Sequence, residues 1–424
     1  MSIRTETVFT WAAPPIKFGA GALWEIGWDV AQLGVTRALV ITDPGVAATG
    51  LAEEVRTLLA NSGIAVEVYD RVEIEPTDES VQKAAAFASG GGWDGLVAIG
   101  GGSAIDTAKA VNLLITQTGT LLDFVAPPVG GGKAIDAPLL PLVAVPTTAG
   151  TGSEATTICV VDLLSQRLKA GISATKLRPT LAVIDPLTTL TLGPEVSASC
   201  GVDVLCHAIE SYTAKTYSAR PALESPWLRA AFCGANPISD LWCQRAIELV
   251  GQHLRRVVMN GADVEARSGM MLASTYAGIG FGNAGTHLPH ANAYPVAGQV
   301  RAYHSPGYPE MPMVPHGQAV ASTAVPSFHF TYPACRERHL RAASLLAGRA
   351  VDPDLRADAL PSVLTELFSD IGIPRGIGAF GFTAADIPDL VTGTLKQQRQ
   401  MSVVPRPVTG SALTEIFKAS LADS

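Results

Sequence analysis

Four side chains in the second half of the chain are of the types that bind divalent metals. Asp203 and His207 lie four residues apart in GVDVLCHAIES (201–211), and this spacing puts both on one face of a helix. His290 and His316 follow in the same region. One carboxylate and three imidazoles, without a thiolate, suit Fe²⁺, Zn²⁺ or Mn²⁺. The alternative is that Asp203 and His207 form a local ion pair and that the other two histidines are structural.

A run of three glycines in the first half is the first of two candidate phosphate-binding loops. In LVAIGGGSAIDTAKA (96–110), the glycines follow an apolar, strand-like segment and precede a helix that begins near Ser103. Backbone N–H groups in such a turn, with the positive end of the helix dipole, can bind a phosphate at the carboxyl end of a parallel strand. The alternative for GGGS alone is a turn that requires glycine.

The second loop, in LPLVAVPTTAGTGSE (140–154), supplies hydroxyl groups. Thr147, Thr148 and Thr151 follow another apolar segment, which is expected to end at the same edge of the same sheet. Hydroxyls and flexible backbone donors suit a pyrophosphate and a ribose, although the stretch alone also fits a polar turn. Two such loops in one sheet favour a nucleotide site.

Asp43 bears on which nucleotide would bind. It ends the strand-like segment ALVITD (38–43), where an acidic side chain can accept hydrogen bonds from ribose hydroxyls and would repel a 2′-phosphate. We therefore predict NAD rather than NADP. The alternative is that Asp43 caps the turn that begins with DPG (43–45).

The elements that must position these residues divide the chain in two. Strand-like and helix-like segments alternate over residues 1–190, which predicts an α/β domain with a parallel, Rossmann-like sheet. These segments are 37–43, 50–63, 65–70, 77–90 and 93–103. Residues 191–424 carry helical periodicity with few strand signals, which predicts an all-α domain. The proline-rich segment SPGYPEMPMVP (305–315) is expected to be an ordered loop.

Composition argues against several classes of protein. The chain has 424 residues, of which 47% are hydrophobic and 16% charged, and this is ample for a large core. A net charge of −8 without any long basic run argues against nucleic-acid binding, and no apolar stretch approaches the length of a membrane span. The first residues lack the apolar region of a secretory signal, and the six cysteines form no C-x-x-C pair. We therefore expect a soluble cytoplasmic protein with free thiols.

Several motifs, taken in order, resemble those of the iron-dependent alcohol dehydrogenase superfamily. They are GGGSAIDTAKAV, PTTAGTGSE, GVDVLCHAIESY and VPHG. Three more, ANPISDLW (235–242), GFGNAGTHLPHANAYPVAG (280–298) and CRERHL (335–340), are similar to the hydroxyacid–oxoacid transhydrogenase branch. The resemblance covers nearly the whole chain. It implies a dehydroquinate synthase-like architecture, with an NAD-binding α/β domain, a helical metal-binding domain and assembly into homo-oligomers.

The resemblance also assigns roles to residues. The metal ligands that it implies are Asp203, His207, His290 and His316, with Fe²⁺ as the first expectation and Zn²⁺ as an alternative. The NAD-binding residues are Asp43, Gly101, Gly102, Ser103, Asp106, Thr147, Thr148, Thr151 and Lys169.

Tyr294 marks a departure from the family pattern. Many members have H-x-x-x-H where this chain has His290 and Tyr294, and the second histidine is often assigned to proton relay. Tyr294 is therefore a candidate catalytic residue, either in that role or beside the site without it. His287 is a second candidate, as support for the metal site or as a substrate contact. The alternative is that His287 has only a structural role.

The resemblance implies hydride transfer between a small alcohol or hydroxy acid and a nicotinamide, with a divalent metal as Lewis acid. The transhydrogenase branch implies 4-hydroxybutyrate as hydride donor and 2-oxoglutarate as acceptor. Arg301 and His304 are candidate cations for a substrate carboxylate. The alternative is that both are charged loop side chains in contact with solvent. Three other functions stay open: an ordinary NAD-dependent dehydrogenase of a non-acidic alcohol or aldehyde, a non-redox metal hydrolase, lyase or cyclase, and a binding protein with a degenerate site.

Overall fold

The computed structural model describes residues 5–127, 129–166 and 168–422. These residues form two compact units. The first is Ala13–Thr191, and the second combines the described residues up to Ala12 with those from Leu192 onward. The residues of the predicted metal site all belong to the second unit, and those of the predicted nucleotide site all belong to the first.

A parallel sheet forms the centre of the first unit. The strands of this unit are β1 (Ile16–Phe18), β2 (Arg37–Ile41), β3 (Ala65–Tyr69), β4 (Gly95–Gly100), β5 (Leu142–Pro146), β6 (Ile158–Leu163), β7 (Leu168–Ser173) and β8 (Leu181–Ile184). The sheet has the order β1-β8-β5-β4-β2-β3, and each neighbouring pair is parallel. The α/β fold predicted from the alternating segments is therefore confirmed.

The two strands that precede the predicted nucleotide loops lie next to each other. Every residue of β4 and β5 is buried, which explains why both segments are continuously apolar in the sequence. Gly100 is in register with Pro146, and the backbone N–H of Thr147 donates to the carbonyl of Gly100 at 3.0 Å. The glycine turn and the threonine loop therefore leave the sheet side by side.

Helices cover both faces of the sheet. They are α1 (Ile26–Gln32), α2 (Pro44–Ala48), α3 (Leu51–Asn61), α4 (Asp78–Ala88), α5 (Gly102–Thr116) and α6 (Leu121–Phe124). Successive residues of a strand point to opposite faces. Val40 accordingly shares a buried cluster with Leu59 of α3, whereas Leu39 shares another with Ile105 of α5.

An antiparallel hairpin, formed by β6 and β7, is an element that the sequence did not predict. The connection between its strands contains no glycine, proline, asparagine or aspartate, which are the residues that mark hairpin turns. The hairpin is anchored beside the sheet, where the backbone N–H of Asp162 donates to the carbonyl of Pro76 at 2.8 Å.

The second unit is helical, as the sequence predicted. Its helices are α7 (Pro194–Thr213), α8 (Pro237–Met259), α9 (Val264–Ala284), α10 (Leu288–Gly298), α11 (His316–Thr331), α12 (Arg336–Ala347), α13 (Ala359–Asp370), α14 (Ile387–Leu395), α15 (Gln398–Met401) and α16 (Gly410–Ala422). The ANPIS sequence is a helix start: Asn236 accepts a hydrogen bond from Ser239 N, and Pro237 occupies the first turn of α8.

The proline-rich segment 305–315 contains no helix or strand. Its end is tied to the residues before it, because the N–H of Met313 donates to the carbonyl of Tyr303 at 2.9 Å. Among the helices that the structure describes, none combines the length and apolar character needed to cross a membrane.

A candidate metal centre and a candidate nucleotide site

Three helices of the second unit carry the predicted metal ligands. Asp203 and His207 are one turn apart on α7. His290 lies in the first turn of α10, next to Pro289, and His316 is the first residue of α11. A proline is tolerated at such a position because the first N–H groups of a helix have no partner within it. The three helices pack against one another, which brings the four side chains together.

The four side chains converge on one point. One candidate ligand atom from each residue lies within 4.8 Å of the others. Asp203 Oδ1 is 3.3 Å from His290 Nε2 and 3.7 Å from both His207 Nδ1 and His316 Nε2. The ring of His207 stacks on those of Phe281 and His290, with centroids 4.0 and 4.3 Å away. This arrangement fits donor atoms that surround a single cation.

Two buried atoms test whether a metal suits this cluster. Asp203 Oδ1 and His290 Nε2 are both buried and have no hydrogen-bond partner of acceptable geometry. A buried polar atom left in this state costs about 1–3 kcal/mol, and a divalent cation would take an electron pair from each. Although burial alone would raise it, the neighbouring histidines hold the pKa of Asp203 well below its ordinary value. Asp203 is therefore anionic, and the donor set fits a divalent metal.

Glu210 is a residue of this site that the sequence analysis missed. It is fully buried on α7, one turn beyond His207, and its Oε1 lies 2.6 Å from His290 Nδ1. Its Oε2 accepts a hydrogen bond of 2.6 Å from the backbone N–H of His287. Although burial would lower it, Glu210 and Asp203 raise the pKa of His290 to about 10, so a metal that binds Nε2 would displace a proton from it. The spacing of Glu210 from Asp203 and His207 was a signal that could have found it, because all three share one helix face.

His287 uses both ring nitrogens within the fold. It caps α10, where Nδ1 accepts a hydrogen bond from Leu288 N at 2.8 Å. Its Nε2 lies 3.0 Å from the hydroxyl of Thr213, and because Nδ1 accepts, Nε2 carries the proton and donates. Burial lowers the pKa of His287 well below its ordinary value, so the ring is neutral. The structure therefore favours the structural alternative for His287 over a contact with substrate.

Tyr294 lies beside the predicted metal ligands. Its ring stacks near that of His316, with centroids 6.3 Å apart, and only 7% of the residue is exposed. Its hydroxyl oxygen accepts a hydrogen bond of 3.4 Å from Arg399 Nη2. Arg399 is a second residue that the sequence analysis did not single out.

Arg301 and His304, the candidate cations for a substrate carboxylate, lie on the surface. The side chain of Arg301 is 68% exposed and forms an ion pair with Asp386, and His304 is also exposed. The structure therefore favours the alternative role for both, that of loop charges in contact with solvent.

The glycine turn and the threonine loop of the first unit are in direct contact. A Cβ atom on Gly102 would lie 2.5 Å from Thr151 Cγ2, and one on Gly101 would lie 3.3 Å from Thr148 Cγ2. Only glycine allows the two loops to approach this closely. Helix α5 begins here, and Gly101 at its N-cap has no side chain to bond the first N–H groups, so that the turn can offer them to an anion.

Ser103 and Lys169 are both held by Glu75. The backbone N–H of Glu75 donates to Ser103 Oγ at 3.0 Å, and Lys169 Nζ lies 2.7 Å from Glu75 Oε2 and 3.0 Å from Asp162 Oδ2. Although burial would lower it, these two carboxylates raise the pKa of Lys169. Glu75 has a φ of 57°, which is strained for a residue other than glycine and is often found at functional sites. Glu75 thus links Lys169 to the glycine turn.

Asp106 and Lys109 support the threonine loop from inside the unit. Asp106 accepts hydrogen bonds from the hydroxyl of Ser153 and, at 2.9 Å, from Val160 N. Lys109, which is fully buried, directs Nζ at four oxygen atoms of the segment 153–158, at 2.7 to 3.1 Å. Both Asp106 oxygens therefore accept hydrogen bonds from the protein itself. Asp106 supports the threonine loop and does not face outward toward a ligand.

Asp43 caps α2. Its Oδ1 accepts a hydrogen bond of 3.0 Å from Val46 N, which is the alternative role that the sequence left open. Its Oδ2 faces Gly100, on the neighbouring strand, where an added Cβ would lie 3.2 Å away. The carboxylate therefore sits at the same edge of the sheet as the glycine turn while serving as a helix cap.

Known proteins are similar to this chain along nearly its whole length. Residues 13–186 match the model of iron-containing alcohol dehydrogenases, and residues 230–421 match that of the C-terminal part of the Fe-containing alcohol dehydrogenase family. The mitochondrial hydroxyacid-oxoacid transhydrogenase of Bos taurus is 43% identical over 423 residues, which cover 98% of this chain and 91% of the relative.

Solved structures share the fold. An alcohol dehydrogenase from Oenococcus oeni matches with a TM-score of 0.85 and 26% identity, over 97% of this chain and 100% of that one. The sulfoacetaldehyde reductase from Bifidobacterium kashiwanohense, solved in complex with NAD⁺, matches with a TM-score of 0.81 and 26% identity, over 99% of this chain and 100% of that one.

The relatives correct one prediction. The sequence predicts a cytoplasmic protein, whereas the relatives from Bos taurus, Xenopus tropicalis and Homo sapiens are mitochondrial by name. The cytoplasmic prediction is therefore wrong. It rested on free cysteines and on the lack of an apolar secretory region, and neither property separates the cytoplasm from another reducing compartment.

Proposed function

The chain belongs to the iron-containing alcohol dehydrogenase family, and from this premise we propose that it is a hydroxyacid–oxoacid transhydrogenase. In this reaction, 4-hydroxybutyrate is oxidised to succinic semialdehyde and 2-oxoglutarate is reduced to 2-hydroxyglutarate, so that one hydride and one proton pass in net from the first acid to the second. Bound NAD would supply the carrier for the hydride. The proposal is carried by the cluster of one aspartate and three histidines, in a chain 43% identical to a named transhydrogenase.

The metal would be held by Asp203, His207, His290 and His316, with iron as the first candidate and zinc as the second. When bound, it supplies Lewis acidity to the hydroxyl or carbonyl oxygen of the substrate. The chain's own contribution is to orient the ligands. Glu210 fixes the ring of His290 through Nδ1, which leaves Nε2 directed at Asp203.

Tyr294 would provide a polar contact for the substrate beside these ligands. It follows His290 by one helical turn, and its hydroxyl oxygen accepts a hydrogen bond from Arg399. Because Arg399 occupies a lone pair of the tyrosine oxygen, the hydroxyl proton is available to a substrate oxygen. His287 acts as a cap of α10 and takes no part in the reaction in this scheme.

NAD would bind at the glycine turn and the threonine loop of the first unit. The first N–H groups of α5 suit a pyrophosphate, and the hydroxyls of Thr148 and Thr151 flank the turn. The carboxylate of Asp43 at the same sheet edge favours NAD over NADP, since it would repel a 2′-phosphate. The structure of the sulfoacetaldehyde reductase, which contains NAD⁺, supports this choice of cofactor.

The test is to mix metal-loaded protein with 4-hydroxybutyrate and follow the absorbance of reduced nicotinamide. One reaction contains excess NAD, and a second contains 2-oxoglutarate without added nucleotide. We expect no steady accumulation of NADH in the first reaction and formation of 2-hydroxyglutarate in the second. Steady NADH accumulation without 2-hydroxyglutarate would instead identify an ordinary dehydrogenase, which is the activity in the name of the Oenococcus oeni structure.

A further inference from the structure

Building on the proposed function, we infer that Arg399 binds the carboxylate of the hydroxy acid, with the hydroxyl of Tyr294 as the second contact. No role follows for Arg399 from the metal ligands or from the nucleotide loops. Its position and its lack of an acidic partner carry the inference. With this contact, the site would select short hydroxy acids over neutral alcohols.

Arg399 is held close to the candidate metal centre by helix packing. It lies on α15, which packs against α10, the helix of His290 and Tyr294. Arg399 Nη2 is 3.4 Å from Tyr294 Oη, and the tyrosine ring in turn stacks near His316. One tyrosine side chain therefore separates the guanidinium from the ligand cluster. The distance between the cluster and the guanidinium suits a molecule with a hydroxyl at one end and a carboxylate a few carbons away.

The guanidinium of Arg399 is not neutralised within the described part of the chain. Its contacts there are the hydroxyl of Tyr294 and the ring of Phe232, whose centroid is 5.9 Å from Cζ. In contrast, Arg301 pairs with Asp386 on the surface, and Arg338 makes a two-pronged pair with Asp240. A half-buried arginine without a carboxylate partner beside a candidate active centre is a natural site for an anionic group of the substrate.

The hydrogen-bond geometry supports a carboxylate rather than a neutral group. Arg399 donates to the oxygen of Tyr294, and among the described residues the tyrosine proton and the remaining guanidinium N–H groups have no acceptor of their own. A carboxylate offers only acceptors, and the planar guanidinium fork matches its two oxygens. A neutral alcohol chain would leave the charge of Arg399 without a partner, and this difference can discriminate between the two substrate classes.

The test compares Arg399→Gln with the wild type on two substrates of equal carbon number. These are 4-hydroxybutyrate and 1,4-butanediol, each assayed with metal-loaded protein and NAD or an oxo acid as the acceptor. We expect kcat/KM for 4-hydroxybutyrate to fall by about 10- to 100-fold, because a charge-assisted hydrogen bond is lost, while the value for the diol changes by less than about threefold. Arg399→Lys should restore part of the loss, because it keeps the charge but not the fork.

Butyrate provides a probe that does not depend on turnover of a hydroxy acid. Its affinity for the metal-loaded protein, measured by calorimetry, should fall in Arg399→Gln by the same factor as kcat/KM. Arg406→Gln is the matched control, because among the described residues Arg406 also lacks an acidic contact, and it donates to the carbonyl of Phe330. The variant should bind butyrate like the wild type.

The two hypotheses fail in different ways. Equal losses on the hydroxy acid and the diol, or unchanged butyrate affinity in Arg399→Gln, would overturn the role of Arg399. A wild-type protein that binds butyrate through Arg399 but moves no hydride from 4-hydroxybutyrate to 2-oxoglutarate would overturn the transhydrogenase proposal alone.

Discussion

His290 Nδ1 and Glu210 Oε1 form a fully buried hydrogen bond of 2.6 Å. A carboxylate in this pair accepts the bond, so Nδ1 carries the proton and the ring presents Nε2 toward Asp203. The same carboxylate binds the backbone N–H of His287 at the start of α10. Glu210 therefore fixes both the rotation of the imidazole and the position of the helix that carries it.

We expect Glu210→Gln to weaken iron and zinc binding by about 10- to 100-fold, as loss of a partner behind a histidine ligand typically does. The amide keeps the size of the side chain but removes its charge and one of its two acceptor oxygens. Metal affinity is measured by competition with a chelator of known affinity. Glu248→Gln is a control, because Glu248 pairs with Arg245 on the outside of α8. Unchanged metal affinity in Glu210→Gln would contradict the positioning role.

Gly102→Ala should impair nucleotide binding. The added methyl would lie 2.5 Å from Thr151 Cγ2, so the glycine turn and the threonine loop would have to separate, at a cost of about 1–3 kcal/mol. We expect the affinity for NADH, measured by fluorescence titration, to fall at least about tenfold. Gly90→Ala is the matched control, since a Cβ there meets no heavy atom within 4 Å. Equal NADH affinity in both variants would place the nucleotide elsewhere.

Asp43→Asn should reduce the preference for NAD over NADP. Asparagine caps helices about as well as aspartate, so the hydrogen bond to Val46 N is retained while the negative charge is removed. We expect the ratio of the two dissociation constants to shift toward NADP by about tenfold, since the repulsion of a 2′-phosphate is lost. A ratio that stays constant would leave Asp43 as a helix cap alone.

Tyr294→Phe separates two roles of the tyrosine hydroxyl. If the hydroxyl contacts the substrate carboxylate, the variant should show a KM for 4-hydroxybutyrate raised by about 3- to 10-fold with kcat nearly unchanged, because a single hydrogen bond is lost. A proton-relay role would instead lower kcat for acidic and neutral substrates alike, by about 100-fold or more. Steady-state kinetics on 4-hydroxybutyrate and 1,4-butanediol distinguish the two outcomes.

Periodicity and spacing were sufficient for the parts of the molecule in which local sequence dictates structure. The alternation of apolar strands with helices predicted β2, β3 and β4 and the helices α3 and α4, and the four-residue spacing of Asp203 and His207 predicted their common helix face. These features depend on contacts between residues close in sequence, and such contacts leave a regular pattern.

The features that the sequence did not reveal depend on distant contacts. The partners of Glu210 are 77 and 80 residues away, and the contact between Arg399 and Tyr294 spans 105 residues. His287 was left open between several roles because only the fold shows that Thr213, 74 residues away, occupies its Nε2. Pairings of this kind are fixed by tertiary packing and leave no periodic trace in one sequence.

The buried side chain of Lys109, whose Nζ contacts four oxygen atoms of the segment 153–158, bears on how long a cofactor stays bound. A loop that is already rigid loses little conformational freedom when its ligand arrives, and affinity gained in this way appears mainly as slow dissociation. An enzyme that reduces one substrate with the hydride of another needs its carrier to remain in place between the two steps. Lys109 would thus lengthen the residence time of the nicotinamide without touching it.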